Sequence, residues 1–174
     1  MLSETLAKAL NDQINAEFYS AYLYLSMSAY AESAGFKGVA NWLWVQTKEE
    51  TAHAMHMYQY VLERGADASF PAIAAPDTQI SGIKDVFEKT LAHEQKVTAL
   101  INNIATLAMQ EHDHACYQFI MWYVGEQVEE EANASDLLAK LELIGGDKGL
   151  LLNLDAELAA RVFNPPFPTD PKQV

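Results

Sequence analysis

The chain has 174 residues, with 24 Asp and Glu against 11 Lys and Arg, which gives a formal net charge of −13. This length fits one domain better than two. The acidity argues against nucleic acids and anionic membranes as partners, because both require a basic protein surface. One cysteine, Cys116, excludes an internal disulfide framework and a cysteine-rich metal site. Half of the residues are hydrophobic, which is enough for a well-filled core.

The N-terminus gives no targeting signal. Met1-Leu2-Ser3-Glu4 contains neither the basic nor the apolar region of a signal peptide. The sequence also has no run of 18 apolar residues that would predict a transmembrane helix. We therefore expect a cytoplasmic protein.

Glycine and proline residues divide the chain into four long helices and a short one. Residues 3–34 and 39–64 contain neither residue type, and neither does 83–115, which ends in a polar break at 111–114. A fourth helix follows to residue 144, and a fifth covers about 148–162. The long helices have roughly 26–32 residues, or about 40–48 Å at 1.5 Å per residue. Helices of this length are typical of a bundle in which each helix spans the domain.

The lengths of the connections predict the topology. Short links follow the first and third helices, which makes each of them antiparallel to the next helix. The link at 65–82 can extend over about 60 Å, so the second and third helices can be parallel. The predicted fold is all-α, a four-helix bundle with one long crossover and a short fifth helix. We assign residues 1–163 to this domain and 164–174 to an extended or disordered tail.

Each long helix has an apolar stripe at i, i+3, i+4, i+7 spacing that a carboxylate interrupts near its middle. The interrupting residues are Glu17, Glu50, Glu94 and Glu130. Helix midpoints share one level of a bundle, so these four side chains should converge there. Buried, ionised carboxylates need a compensating cation, and no Lys or Arg falls on the stripes. A divalent cation held by carboxylate oxygen and imidazole satisfies this requirement.

The segment Glu50-Thr51-Ala52-His53 supports a metal site. Its E-x-x-H spacing places a carboxylate and an imidazole on one helical face, one turn apart. Alone this motif is weak. Together with inward glutamates from the other helices it matches the ligand pattern of ferritin-like di-metal bundles.

From Ser3 to about Val162 the sequence resembles the bacterial non-haem ferritins. The matching pieces are Glu17 and Tyr24, the segment KEETAHA at 48–54, Glu94, and the segment WYVGEQVEEE at 122–131. The resemblance implies a first iron site formed by Glu17, Glu50 and His53. It implies a second site formed by Glu94, Glu130 and the bridging Glu50.

The resemblance also assigns neighbours to this di-iron centre. Gln127 would lie beside the metal pair. Tyr24 and Trp122 would serve as hydrogen-bonding or redox neighbours, with plain core packing as the alternative. A third iron site would use the residues Glu49, Glu126, Glu129 and Glu130.

The implied function is the oxidation of Fe(II) by dioxygen or hydrogen peroxide, followed by storage as a ferric oxyhydroxide mineral in a hollow homo-oligomer of 24 subunits. Haem is not expected, because Ala52 replaces the haem-binding methionine of the related bacterioferritins. The apolar run Leu150-Leu151-Leu152 predicts that the fifth helix is buried against other subunits.

Two alternative functions remain. One is a mini-ferritin, a twelve-subunit shell that protects DNA and builds its iron site from two subunits. Another is a helical interaction bundle without metal or activity. The polar segment 111–114 could form a small metal site with Cys116, although a solvated turn is the simpler interpretation.

Overall fold

The computed structural model describes residues 1–77 and 79–167. Within them the chain forms five α-helices and no strand, as predicted. The helices are α1 Glu4–Ser33, α2 Lys37–Glu63, α3 Ile83–Gln110, α4 His114–Ile144 and α5 Lys148–Leu158. None of the helices in this part of the chain combines the length and apolar character needed to cross a bilayer.

At the starts of α1, α4 and α5, short polar side chains accept hydrogen bonds from free backbone N–H groups. The hydroxyl of Ser3 accepts from the Leu6 N–H at 3.1 Å at the start of α1. The carboxylate of Asp113 accepts from the Cys116 N–H at 2.9 Å at the start of α4. Gly145 ends α4 in the left-handed conformation, with φ of 55°, which glycine adopts at little cost.

Two apolar clusters, one at each end of the bundle, define the helix directions. The first joins the start of α1 and α4 to the end of α2 and α3, and its buried members include Leu10, Met57, Ile104 and Ile120. The second joins the opposite ends of the same helices, with buried members including Met27, Leu43, Phe87 and Leu137. Thus α1 and α2 are antiparallel, α3 and α4 are antiparallel, and α2 and α3 are parallel. This arrangement confirms the long crossover, which covers residues 64–82.

Buried polar side chains lie between the two apolar clusters. The charged and polar members on the four long helices include Glu17, Gln46, Glu50, His53, Glu94, Gln127 and Glu130. The four glutamates predicted to interrupt the apolar stripes are all buried. The core of the bundle is therefore apolar at both ends and polar in the middle.

The fifth helix is shorter than predicted, because α5 ends at Leu158 rather than near residue 162. The side-chain amide of Asn41 donates to the carbonyl oxygens of Leu158, Ala159 and Arg161, at 3.3, 3.3 and 2.9 Å. These bonds hold the chain against α2 where it leaves the helix. Residues 164–167 have no regular secondary structure. The remainder of the predicted tail, 168–174, lies outside the described residues.

A glycine allows α5 to dock directly on the start of α2. A Cβ atom at Gly38 would lie 1.6 Å from the carbonyl oxygen of Asp155. The Asp155 carboxylate also accepts from the Val39 N–H at 2.9 Å. Because any side chain at residue 38 would collide with backbone, this close contact requires glycine.

We predict that Gly38→Ala displaces α5 from α2. Hydrogen exchange followed by mass spectrometry should show protection of the α5 amides falling by at least about ten-fold, which corresponds to about 1.4 kcal/mol. Gly125→Ala is the matched control, since an added Cβ at Gly125 meets no atom within 4 Å. The control should leave α5 protected and slightly stabilise α4. Unchanged α5 protection in Gly38→Ala would contradict this docking.

Candidate metal centre

Glu17 of α1 and Glu50 and His53 of α2 come together in the polar middle of the bundle. One potential ligand atom from each residue lies within 4.8 Å of those of the other two, and all three side chains are buried. In the part of the chain that the structure describes, this is the one group of three metal-binding side chains so close together. The Glu50–His53 spacing on α2 and the antiparallel packing of α1 create it.

The imidazole of His53 has the chemistry of a metal ligand. Its Nε2 atom is buried without a hydrogen-bond partner among the described residues, and its Nδ1 atom lies 3.7 Å from Glu50 Oε2. Burial lowers the pKa of His53 to about 4, so the ring is neutral at neutral pH and can offer a lone pair. A buried nitrogen without a partner is costly unless something binds it, and a cation fits that position.

Burial and mutual repulsion raise the pKa values of the inward glutamates. The pKa of Glu17 is raised to about 7, chiefly by burial, and that of Glu130 to about 8, by burial and by the charge of Glu94. Burial and the neighbouring carboxylates raise the pKa of Glu50 well above its usual range. Oxygen atoms of Glu17 and Glu50 lie within 4.8 Å of each other, and the charge of Glu17 contributes to the raised pKa of Glu50. Without metal, these groups therefore retain protons at neutral pH.

Glutamine side chains orient three of the carboxylates. Each donates its amide N–H to one oxygen atom, and the pairs are Gln13–Glu17 at 2.8 Å, Gln46–Glu130 at 2.8 Å and Gln127–Glu94 at 3.0 Å. Gln127 was expected beside the metal pair, but the sequence interpretation assigned no role to Gln13 or Gln46. The i,i+4 spacing of Gln13 and Glu17 was a signal for the first of these contacts. The contact of Gln46 joins α2 to α4 and has no local signal.

Aromatic side chains surround the centre. The hydroxyl of Tyr24 donates to Glu94. The ring of Trp122 meets the His53 ring edge to face, with centroids 5.5 Å apart. The Tyr123 hydroxyl donates to the His53 carbonyl at 3.2 Å and lies 2.9 Å from Nδ1 of His56. The contacts of Trp122 and Tyr123 pack α4 against α2 and cover the imidazole of His53, which is buried.

Glu94 and Glu130 lie in the same layer but outside the close group of three. Their charges raise the pKa of Glu50, and the charge of Glu94 raises that of Glu130, which places all three near one another. Both outer carboxylates are already held by hydrogen-bond donors. Their role as ligands of a second metal ion stays a prediction.

The residues predicted for a third iron site lie farther out. Glu49 is half-buried and forms an ion pair with Arg161, with Nη2 and Oε2 separated by 2.6 Å. The pKa of the half-buried Glu126 is raised by burial and by the charges of Glu129 and Glu49. Glu129 is exposed. The sequence interpretation missed Arg161, because its contact with Glu49 spans 112 residues and follows no helical period.

The polar segment between α3 and α4 is a turn. Asp113 both caps α4 and pairs with Arg64 at 2.8 Å. His112 and His114 are exposed, whereas Cys116 is buried. Across residues 1–77 and 79–167, no cluster of three metal-binding side chains forms there.

The bundle and its buried carboxylates define a four-helix protein with a candidate metal centre. Comparison with known proteins identifies the family. A family model described as a ferritin-like domain matches residues 7–144. The bacterial non-heme ferritin of Staphylococcus aureus is 40% identical over 164 residues, covering 94% of this chain and 99% of its own. The chain therefore belongs to the ferritin family, and the ferroxidase activity expected from the sequence agrees with that membership.

Solved structures agree with this assignment. A novel open pore ferritin from the archaeon Archaeoglobus fulgidus superposes with a TM-score of 0.91 and is 50% identical, covering 93% of this chain and 100% of its own. A humanized archaeal ferritin superposes with a TM-score of 0.93 and is 51% identical, covering 95% of this chain and 100% of its own.

We predict that the metal-free protein loses stability as the pH rises from 5 to 8. The folded state holds protons on Glu17 and Glu130 up to pKa values of about 7 and 8, whereas the unfolded chain releases them near 4.5. The folded state thus binds more protons across this interval, so the free energy of unfolding falls with pH. For Glu17 alone the change is about 3 kcal/mol. Urea denaturation at fixed protein concentration measures it.

Glu130→Gln tests the origin of this pH dependence, because it keeps the side-chain shape and removes one titrating group. The variant should be more stable than the parent at pH 8 and should show a shallower pH profile. A flat or rising profile for the metal-free parent protein would contradict the assignment of raised pKa values to these buried carboxylates.

Proposed function

We propose that this protein is a cytoplasmic iron-storage ferritin that oxidises Fe(II) at a di-iron centre within each subunit. The first ion would bind Glu17, Glu50 and His53, and the second would bind Glu94, Glu130 and the bridging Glu50. The observation that carries the proposal is the buried group of two carboxylates and a neutral imidazole. Glutamate oxygen and imidazole nitrogen are ligands that iron accepts.

The ligand set favours oxidation of bound iron. Hard carboxylate oxygens bind Fe(III) more strongly than Fe(II), so ligation makes the loss of an electron more favourable. Each Fe(II) supplies one electron, and two neighbouring ions reduce one dioxygen to hydrogen peroxide with the uptake of two protons. Hydrogen peroxide is the alternative oxidant. The Fe(III) product would then leave the centre for a ferric oxyhydroxide mineral.

The hydrogen bonds around the centre support a defined ligand geometry. Gln127 and Tyr24 each donate to a different oxygen of Glu94. Gln46 donates to Glu130. Such contacts to ligating carboxylates reduce their rotation and leave the remaining lone pairs for metal. We further propose a third, weaker iron site at Glu49, Glu126, Glu129 and Glu130, on the outer side of the centre.

Assembly into a hollow homo-oligomer of 24 subunits completes the proposal. On α5, Leu154 and Leu158 are buried against the bundle, while Leu150 and Leu152 are 49% and 60% exposed. Exposed leucines on a docked helix fit a contact with other subunits. The alternative of a mini-ferritin is less well supported, because one chain supplies Glu17, Glu50 and His53 together.

We predict that Glu50→Ala and His53→Ala each reduce the initial rate of aerobic Fe(II) oxidation by at least about 100-fold, roughly 3 kcal/mol. Each variant removes one of the three potential ligands in the buried group. Stopped-flow absorbance of the ferric product measures the rate. Glu88→Gln is the control, because Glu88 is exposed and, among the described residues, forms its one ion pair with Lys84 at the surface. Oxidation at the parent rate in either alanine variant would refute the proposed centre.

We predict that Leu150→Asp combined with Leu152→Asp weakens assembly without unfolding the subunit. The buried Leu154 and Leu158 remain in place, so helix content measured by circular dichroism should not change. Size-exclusion chromatography with light scattering should show a shift from about half a megadalton, the mass expected for 24 chains of 19.3 kDa, to small oligomers. Elution at the full mass would count against α5 as an interface.

A further inference from the structure

Arg161 is held against Glu49 by more than its charge. Its guanidinium lies over the Trp42 ring, with Cζ 4.6 Å from the ring centroid, and Nη1 lies 3.5 Å from the Trp42 carbonyl oxygen. The Arg161 carbonyl accepts from Asn41 at 2.9 Å. The stacking and the backbone anchor position the guanidinium before any ligand arrives, which lowers the entropic cost of the ion pair.

The ion pair differs from the surface pairs of this protein. The side chains of Arg161 and Glu49 are 22% and 19% exposed, whereas those of Lys140 and Glu157 are 47% and 61% exposed. A pair with so little exposure is poorly screened by solvent. Removing one partner leaves the other charge partly desolvated, which is unfavourable.

The charge of Arg161 acts on the carboxylates predicted for the third iron site. It lowers the pKa of Glu49, against the larger effect of burial, and it also lowers that of Glu130. The charges of Glu129 and Glu49 both raise the pKa of Glu126. The guanidinium therefore supplies positive charge at the point where a third cation would bind Glu49.

We propose that Arg161 competes with the third cation for Glu49, so that a metal ion binds there only when the guanidinium withdraws. This inference rests on the third iron site of the proposed function. Arginine stays charged at any physiological pH, so the competition is set by metal concentration rather than by protonation. Arg161 thus acts as a positioning residue that keeps the third site weaker than the first two.

The competition predicts an order of filling. Nothing cationic among the described residues opposes metal at Glu17, Glu50 and His53, where a metal replaces only protons. At Glu49 the incoming ion must also break the ion pair and the contact of the guanidinium with Trp42. The first two ions should therefore bind before the third at limiting metal, which keeps Glu49 paired with Arg161 until the centre is occupied.

Isothermal titration of the metal-free assembled protein with Zn(II) tests the competition, because Zn(II) accepts oxygen and nitrogen ligands and does not change oxidation state. Arg161→Gln should tighten the third equivalent about ten-fold, leave the first unchanged, and tighten the second by less, because Glu130 also interacts with the Arg161 charge. Arg161→Lys, which keeps the charge, should stay near the parent. Glu49→Gln should abolish the third equivalent alone, and His53→Ala should weaken the first two.

The outcomes separate this inference from the proposed centre. If the parent protein does not bind the first two equivalents of Zn(II), the di-metal centre itself is refuted. If those two bind and the third has the same affinity in Arg161→Gln as in the parent, the competition is refuted while the centre stands. Absence of any third equivalent in Arg161→Gln refutes it as well. Size-exclusion chromatography of each variant verifies that assembly is unchanged.

Discussion

The burial of four carboxylates at one level of the bundle is the constraint on which the rest of the structure depends. Glu17, Glu50, Glu94 and Glu130 each interrupt the apolar stripe of a long helix. Their desolvation and mutual repulsion oppose folding. The two apolar clusters at the ends of the bundle offset this cost, because hydrophobic burial favours folding. The long helices follow from the same constraint, since each must reach both clusters and still cross the polar layer between them.

The negative charge of the polar layer is not compensated by any cationic side chain on the apolar stripes, and this favours the binding of cations. Protons neutralise part of the charge, as the raised pKa values of Glu17 and Glu130 show. A divalent cation would neutralise more of it, and its binding would release those protons to solvent. Gln13, Gln46 and Gln127 orient the carboxylates without carrying charge. Neutral donors can thus order the layer while leaving its charge uncompensated, which a lysine or arginine in their place would not do.

Most of the fold and the inner part of the site follow from the sequence, because both depend on local periodicity. Glycine and proline positions mark the helix ends, and the 3.6-residue period brings Glu50 and His53 onto the buried face of α2. Once the helices are known to be antiparallel, Glu17 must lie near them. The ferritin family and the helical bundle are confirmed on this basis. Glu94 and Glu130 as ligands stay predictions, since they fall outside the close group of three.

The structural features that the sequence did not predict depend on contacts between segments that are distant in the chain. Asn41 captures the carbonyl groups after Leu158 and so ends α5 early. No helical period links these residues, and the same is true of Arg161 and Glu49. The sequence correctly predicted that no Lys or Arg lies on the apolar stripes. It did not predict that Arg161, from beyond α5, reaches Glu49 at the edge of the polar layer.

The placement of positive charge explains the acidity of the chain. A tethered cation inside the layer would compensate Glu17, Glu50, Glu94 and Glu130 permanently and would leave a metal ion nothing to gain. The negative charge must therefore stay in excess where cations are to bind, and the overall charge of −13 reflects this in part. Glu49 differs from these four residues, because Arg161 pairs with it through a side chain that can withdraw. The interior carboxylates can exchange protons for metal, whereas Glu49 must exchange the guanidinium of Arg161 for a metal ion.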